Sequence, residues 1–308
     1  MKSIIITNIF AMFFLINCVA QIPKVKQGTI QQYPNFATQY IKPRNVDVWL
    51  PNGYTKEKKY PVIYMNDGQM LFDSTINWNK SKWKVDETIT KLIEENKIKE
   101  VIVVAIWNTG PERHSDYCPQ KPYEKTTADE KVMLKNSVRK NGTSVFNNYE
   151  IKSDYYLKFI VEELKPFVDK NYSTLTRKEN TFIAGSSMGG LISLYAICEY
   201  PEIFSNAACL STHWPVIFTM ENNPMPNLIF NYLKEKLPDP KSHRIYMDYG
   251  DLTLDAMYPP FQPTINEIMT QKGYSENNWV NKYFKGEDHS EKAWSKRLNV
   301  PLEFLLAK

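Results

Sequence analysis

Thr181-Phe182-Ile183-Ala184-Gly185-Ser186-Ser187-Met188-Gly189-Gly190 runs from a short apolar segment into a glycine-flanked turn, and Leu191 to Tyr200 continues with the pattern of a helix. Strand, G-x-S-x-G and helix in that order form the context in which a serine sits on a sharp, strained turn with its hydroxyl exposed above a sheet. The glycines have a steric task, because strand and helix can close on such a turn only where neighbouring residues lack Cβ atoms. Ser187 is therefore the candidate nucleophile.

Outward from this turn, the chain alternates between two periodicities. Apolar runs rich in β-branched and aromatic residues occur at Val46 to Leu50, Val62 to Met65, Val101 to Trp107, Phe182 to Ala184, Ala207 to Leu210, Ile245 to Tyr249 and Val280 to Phe284. Helical patterns lie between them, at Val85 to Ile98, Tyr155 to Val168, Leu191 to Tyr200 and Trp294 to Leu306. Strands separated by helices of this length require right-handed crossovers, hence an α/β fold with a mostly parallel central sheet and helices on both faces. No repeat or Gly/Ser linker interrupts the pattern, and residues 21–308 read as one domain. Residues 109–150, with Pro111, Pro119, Pro122 and many charges, lack clear periodicity; they read as a lid or active-site loop, or as a solvated insertion.

A serine nucleophile needs a base, and in sheets with such an elbow the acid and then the histidine follow it in the chain. Of the four histidines, His114 precedes Ser187, His213 follows too closely for an acid-bearing strand to intervene, and His243 opens a strand. His289, in Lys285-Gly286-Glu287-Asp288-His289-Ser290 after the last strand, is left as the base. The acid belongs in the loop Gly250-Asp251-Leu252-Thr253-Leu254-Asp255, where it would accept the Nδ1 proton and stabilise the imidazolium. Two carboxylates compete. Asp255 is favoured by its depth in the loop, whereas Asp251 lies against the strand end and could cap the turn instead. The oxyanion of a tetrahedral intermediate needs two N–H donors. Met188 supplies one; Gln69 supplies the other, from the loop Asn66-Asp67-Gly68-Gln69, where Gly68 permits the turn.

Composition narrows the function. The 308 residues carry 38 Lys and Arg against 34 Asp and Glu, with 43% hydrophobic and 23% charged residues, the profile of an ordinary globular protein. The net charge of +4 is small and its cations are scattered, which leaves nucleic acid aside as a partner. Lys2, the apolar run from Ile4 to Ile16 and the close at Cys18-Val19-Ala20 read as a signal peptide over residues 1–20, too short for a stable membrane span and implying a secreted or periplasmic location. Lipoprotein anchoring at Cys18 is disfavoured by Asn17 before it. Three cysteines remain, Cys118, Cys198 and Cys209, an odd number that argues against a disulfide framework. Neither H-E-x-x-H nor a Cys/His cluster is present, so no metal and no cofactor is expected.

Taken in order, Tyr64-Met65-Asn66-Asp67-Gly68-Gln69-Met70-Leu71-Phe72-Asp73, the Ser187 elbow, Asp248-Tyr249-Gly250 with Thr253-Leu254-Asp255, and Gly286 with His289 resemble the esterase D-like α/β-hydrolases. That group includes enterochelin esterases, feruloyl and acetyl-xylan esterases, S-formylglutathione hydrolases and antigen 85 relatives. The resemblance implies an α/β-hydrolase fold and a small-molecule ester substrate, either a siderophore trilactone or a hydroxycinnamoyl or acetyl sugar ester. It implies Ser187, His289 and Asp255 as the catalytic residues and Met188 and Gln69 as the oxyanion donors. Arg113, followed by Tyr117 and Pro119, resembles a site-proximal stretch of the siderophore esterases, and Trp214 resembles the aromatic that borders the acyl pocket. His213 beside it departs from the pattern. An acyltransferase using the same acyl-enzyme is the alternative, separable by assay with and without an acceptor; a non-catalytic binding module would require a missing triad member.

Overall fold

The computed structural model describes residues 21–307. The expected signal peptide and Cys18 lie outside the described residues. The seven apolar runs become strands of one sheet, joined at its edge by an eighth that the runs did not include, β1 Thr29–Phe36; the seven are β2 Arg44–Leu50, β3 Val62–Asn66, β4 Ile102–Ile106, β5 Thr181–Ser186, β6 Asn206–Leu210, β7 Arg244–Tyr249 and β8 Trp279–Tyr283. Their order is β1-β2-β4-β3-β5-β6-β7-β8. β1 and β2 are antiparallel to their neighbours, and from β4 to β8 every pairing is parallel.

The inner parallel strands β3 to β7 are buried on both faces, which is why they read as continuous apolar runs, whereas β8 at the sheet edge is partly exposed. In β3, Val62 and Tyr64 face one core and Ile63 and Met65 the other. The helices are α1 Val85–Glu94, α2 Arg113–Tyr117, α3 Gln120–Glu124, α4 Ala128–Lys135, α5 Ser153–Lys158, α6 Lys165–Asn171, α7 Met188–Glu199, α8 Met225–Lys236, α9 Gln262–Gln271, α10 Glu291–Arg297 and α11 Asn299–Leu306. Ile89 of α1, Trp294 of α10 and Leu302 of α11 fill one core, and Leu157 of α5, Leu191 of α7, Ile229 of α8 and Ile265 of α9 fill the other. Among the described residues no helix is long and apolar enough to cross a membrane.

Two helical patterns are modified by proline. The expected helix over Tyr155 to Val168 spans α5 and α6, joined by a widened π turn at Phe159–Leu164. Pro166 follows directly; it has no N–H for the carbonyl one turn back and its ring crowds that group, a strain that an enlarged turn relieves. The pattern over Trp294 to Leu306 divides at Leu298 into α10 and α11, with Pro301 in the first turn of α11, where a missing N–H costs nothing. β1 escapes the alternation rule altogether, because this edge strand, Thr-Ile-Gln-Gln-Tyr-Pro-Asn-Phe, is half exposed and mostly polar.

Residues 109–150 hold α2, α3 and α4 and pack into the core under α5 and α7. Tyr117, Cys118, Leu134, Val145 and Phe146 are all buried there. A buried Arg44–Asp116 ion pair at 3.1 Å fastens α2 to β2. Two cations of this segment are used within it, Arg139 donating to the carbonyl oxygens of Ser144 and Val145 and Lys135 pairing with Glu150, while Arg113 and Lys121 pair outside it with Asp67 and Glu199. Cys118, Cys198 and Cys209 are free and buried.

Candidate active site

The elbow is built from backbone. Ser187 has φ 58° and ψ −124°, a conformation that costs about 1–3 kcal/mol and persists only when its surroundings impose it. Here three hydrogen bonds do so. The Ser187 N–H donates to Leu210 at 2.9 Å, and its carbonyl accepts from Leu191 at 3.0 Å and from His213 at 3.2 Å. A Cβ on Gly185 would stand 2.5 Å from the carbonyl oxygen of Gly189, and one on Gly190 3.1 Å from that of Leu210, so α7 approaches β5 and β6 only because both are glycines.

Facing the elbow, the loop after β3 turns at Asp67, whose φ is 58°. Gly68, expected to supply the turn, instead supplies space: a Cβ there would lie 2.6 Å from the Ala105 carbonyl carbon of β4. Gln69 is in a single 3₁₀ turn at Gly68–Met70, and Met188 opens α7. Both N–H groups therefore belong to first turns, whose donors have no partner within the helix. The loop is braced on both sides. The Asn66 side chain donates to Ser193 Oγ at 2.9 Å and accepts from Tyr156 at 2.5 Å. Arg113 grips both oxygens of Asp67 at 2.7 Å, and Asn108 adds a third bond at 2.7 Å. Arg113 lines the cleft, but two of its N–H groups are spent on Asp67.

On the other side, His289 Nδ1 lies 2.5 Å from Asp255 Oδ1. Asp255 is fully buried and its second oxygen accepts from Ser211 Oγ at 2.7 Å and from the Gly250 N–H at 2.6 Å. Burial pushes this carboxyl up, but the bond to His289 and its charge, with the Ser211 and Gly250 bonds, outweigh burial and hold it below the usual carboxylate value. Asp251 touches the loop from outside: it accepts from Tyr283 at 2.5 Å and from the Gly286 N–H at 2.7 Å. The geometry brings Asp255, not Asp251, to the imidazole.

Ser187, His289, Gln69, Asp67 and Arg113 line one cleft of about 780 Å³. Its remaining wall is rich in tryptophan, with Trp83, Trp107 and Trp294 in it and Trp78 at 87% exposure. Trp214 is not in this wall; it is buried, its ring packed on Phe230 at 5.5 Å. Asp67, Asn66, Asn108, Ser211 and Tyr258 were beyond sequence reasoning. The only trace of them is the polar Asn-Asp pair before Gly68, inside an otherwise apolar strand end. Among the described residues no group of three or more His, Cys, Asp or Glu is arranged to hold a metal ion.

Over 273 residues the chain is 21% identical to the uncharacterized protein YbbA of Bacillus subtilis, covering 86% of this chain and 93% of that protein. Among solved structures it is similar to the CE1 ferulic acid esterase of the anaerobic fungus Anaeromyces mucronatus, with 20% identity, a TM-score of 0.62 and coverage of 93% of this chain and 95% of the other. The IroE-like serine hydrolase of Shewanella oneidensis is similar at 17% identity and a TM-score of 0.61, over 90% of this chain and 80% of the other. At these identities the likeness establishes the α/β-hydrolase fold. Residues 39–305, from the approach to β2 almost to the end of α11, match the family described as putative esterase. The chain belongs to that esterase family.

Proposed function

We propose that the protein is a serine carboxylic-ester hydrolase working through an acyl-enzyme on Ser187. The observation that carries the reading is the 2.5 Å contact of His289 Nδ1 with the ionised, buried Asp255, in the same cleft as a serine held in an elbow. Ser187 Oγ attacks the ester carbonyl carbon while His289 Nε2 takes the hydroxyl proton. Asp255 keeps the Nδ1 proton in place and stabilises the imidazolium. The Gln69 and Met188 N–H groups receive the oxyanion. Collapse of the tetrahedral intermediate breaks the C–O bond, the leaving alkoxide takes the proton from His289, and water repeats the sequence to release the acid and restore Ser187.

The tryptophan-lined wall supports an ester with a flat aromatic or sugar group, and a hydroxycinnamoyl sugar ester agrees with it best. Labelling by a serine-directed phosphonate tests the mechanism: label is expected on Ser187, and label confined to another serine would overturn the reading. Comparing kcat/KM across hydroxycinnamoyl, acetyl and trilactone esters tests the substrate, since specificity is the ratio of these values. The hydroxycinnamoyl ester is expected to lead, and equal values would remove the substrate assignment.

A further inference from the structure

Behind the elbow runs a buried hydrogen-bond chain that the hydrolysis steps above do not use. Tyr258 Oη lies 2.9 Å from His213 Nδ1 and 3.5 Å from His289 Nδ1. Its ring stands roughly edge-on to both imidazoles, with centroids 5.9 Å from each. Tyr258 and His213 are both buried. The chain is anchored at both ends by backbone: His213 N–H donates to the Ser187 carbonyl at 3.2 Å, and Tyr258 N–H to the Asp255 carbonyl at 2.9 Å.

We propose that Tyr258, with its hydroxyl turned by His213, is a positioning residue for His289, holding the imidazole in place and favouring its protonated form during acyl transfer. The proposal rests on the Ser187–His289–Asp255 reading. Proton accounting fixes the direction of every bond. Asp255 is ionised and accepts, so His289 Nδ1 carries a proton and cannot accept one from Tyr258. The tyrosine hydroxyl must then donate to His213 Nδ1, which places the His213 proton on Nε2. His213 is neutral, because burial, the nearby His289 and Arg113 bring it down to about 3. Tyr258 keeps its proton, since burial and the Asp255 charge raise it well above the usual phenol value.

With its proton committed to His213, Tyr258 turns an oxygen lone pair toward the Nδ1–H edge of His289. When His289 Nε2 accepts the Ser187 proton, positive charge appears on a ring already faced by the Asp255 carboxylate and the Tyr258 oxygen. A dipole fixed among buried groups stabilises that charge without reorganising. No proton passes along the chain: Tyr258 and His213 end the cycle as they began it. His213, unexpected at its position from sequence, is on this reading the residue that sets the tyrosine's direction.

The test compares Tyr258→Phe, His213→Leu, His213→Asn and the Tyr258→Phe/His213→Leu double variant in the purified enzyme. Tyr258→Phe is expected to lower kcat by about 10-fold with KM unchanged, and to move the acid limb of kcat/KM to lower pH as the imidazolium loses support. His213→Leu should do the same. His213→Asn, whose Oδ1 can accept the tyrosine proton, should recover most of the rate, and the double variant should be no slower than Tyr258→Phe. Wild-type kcat and acid limb in Tyr258→Phe, or multiplicative losses in the double variant, would overturn the proposal. If Tyr258→Phe fails to fold by near-ultraviolet circular dichroism, the histidine pair decides, and equal rates for Leu and Asn count against it. An active Ser187→Ala would bring down the underlying reading, whereas an inactive Ser187→Ala beside an unaffected Tyr258→Phe removes this proposal alone.

Discussion

The two halves of the site are held in different ways. The side of the proposed nucleophile is positioned by backbone: Ser187 gets its conformation from main-chain hydrogen bonds and from glycines that let α7 rest on the strands. The side of the proposed base is positioned by side chains: Asp251, Thr253, Asp255 and Tyr258, from one stretch of sequence, meet the His289 loop, and Ser211, from another, holds Asp255. Backbone positioning tolerates almost no substitution, because neither partner can move. A network of side chains degrades in steps as its members are removed. The contrast predicts a graded series of mutational effects.

The largest effect is expected for Ser187→Ala, a loss of about 10⁶-fold in kcat, the scale seen when a serine protease loses its nucleophile. Retention of a tenth of the activity on the preferred ester would contradict the nucleophile assignment. Next is Asp255→Asn, expected to cost about 10⁴-fold in kcat while the protein stays folded, as an amide there leaves the imidazole in the wrong tautomer. A loss below 100-fold would mean that the base is oriented without this carboxylate.

Glycine substitutions compare the two halves through stability. Gly185→Ala puts a Cβ 2.5 Å from a backbone oxygen, with no side chain able to yield. Overpacking of this kind costs about 3 kcal/mol or more, read as a fall in the denaturant midpoint. Gly286, in the His289 loop, has φ 77° but no neighbour within 4 Å of where a Cβ would stand. Gly286→Ala should therefore cost only about 1 kcal/mol, the penalty of left-handed backbone alone. Equal losses at the two positions would erase the distinction between the halves.

This difference in construction also explains what was legible in the sequence. The elbow is contiguous, so Gly185 to Gly190 announced strand, turn, candidate nucleophile and helix together, and β3 to β7 read as apolar runs because both their faces are buried. His289 could be reached by elimination among four histidines. The proposed acid was harder, because Asp251 and Asp255 share one loop and differ only in where their side chains point. The partners of the acid could not be seen at all: Ser211 and Asp255 are 44 residues apart, and nothing local marks that pair. Trp214 was placed by analogy with a neighbouring pattern, but its ring turns to Phe230 and away from the cleft. In residues 109–150 the helices are too short for their periodicity to register, although the segment buries several large side chains.

Asp251 provides the finest test of the stepwise behaviour. Its carboxylate braces the His289 loop by accepting from Tyr283 and from the Gly286 N–H, and it does not touch the imidazole. These two hydrogen bonds, with Lys285 nearby, hold it below the usual carboxylate value. A carboxylate depressed in the folded state contributes stability that is present above its unfolded pKa and is lost as pH falls through the folded one. The brace is thus intact at neutral pH and weakens only in acid. Asp251→Asn keeps the shape and one acceptor oxygen but removes the charge, so kcat/KM is expected to fall by about 2- to 5-fold at neutral pH, a loss of order RT for an exposed hydrogen bond. The thermal midpoint of wild type and variant should converge as the pH is lowered below the carboxylate range. A loss near that of Asp255→Asn would show that the outer brace and the acid act as one unit, and the base side would then be as rigid as the elbow.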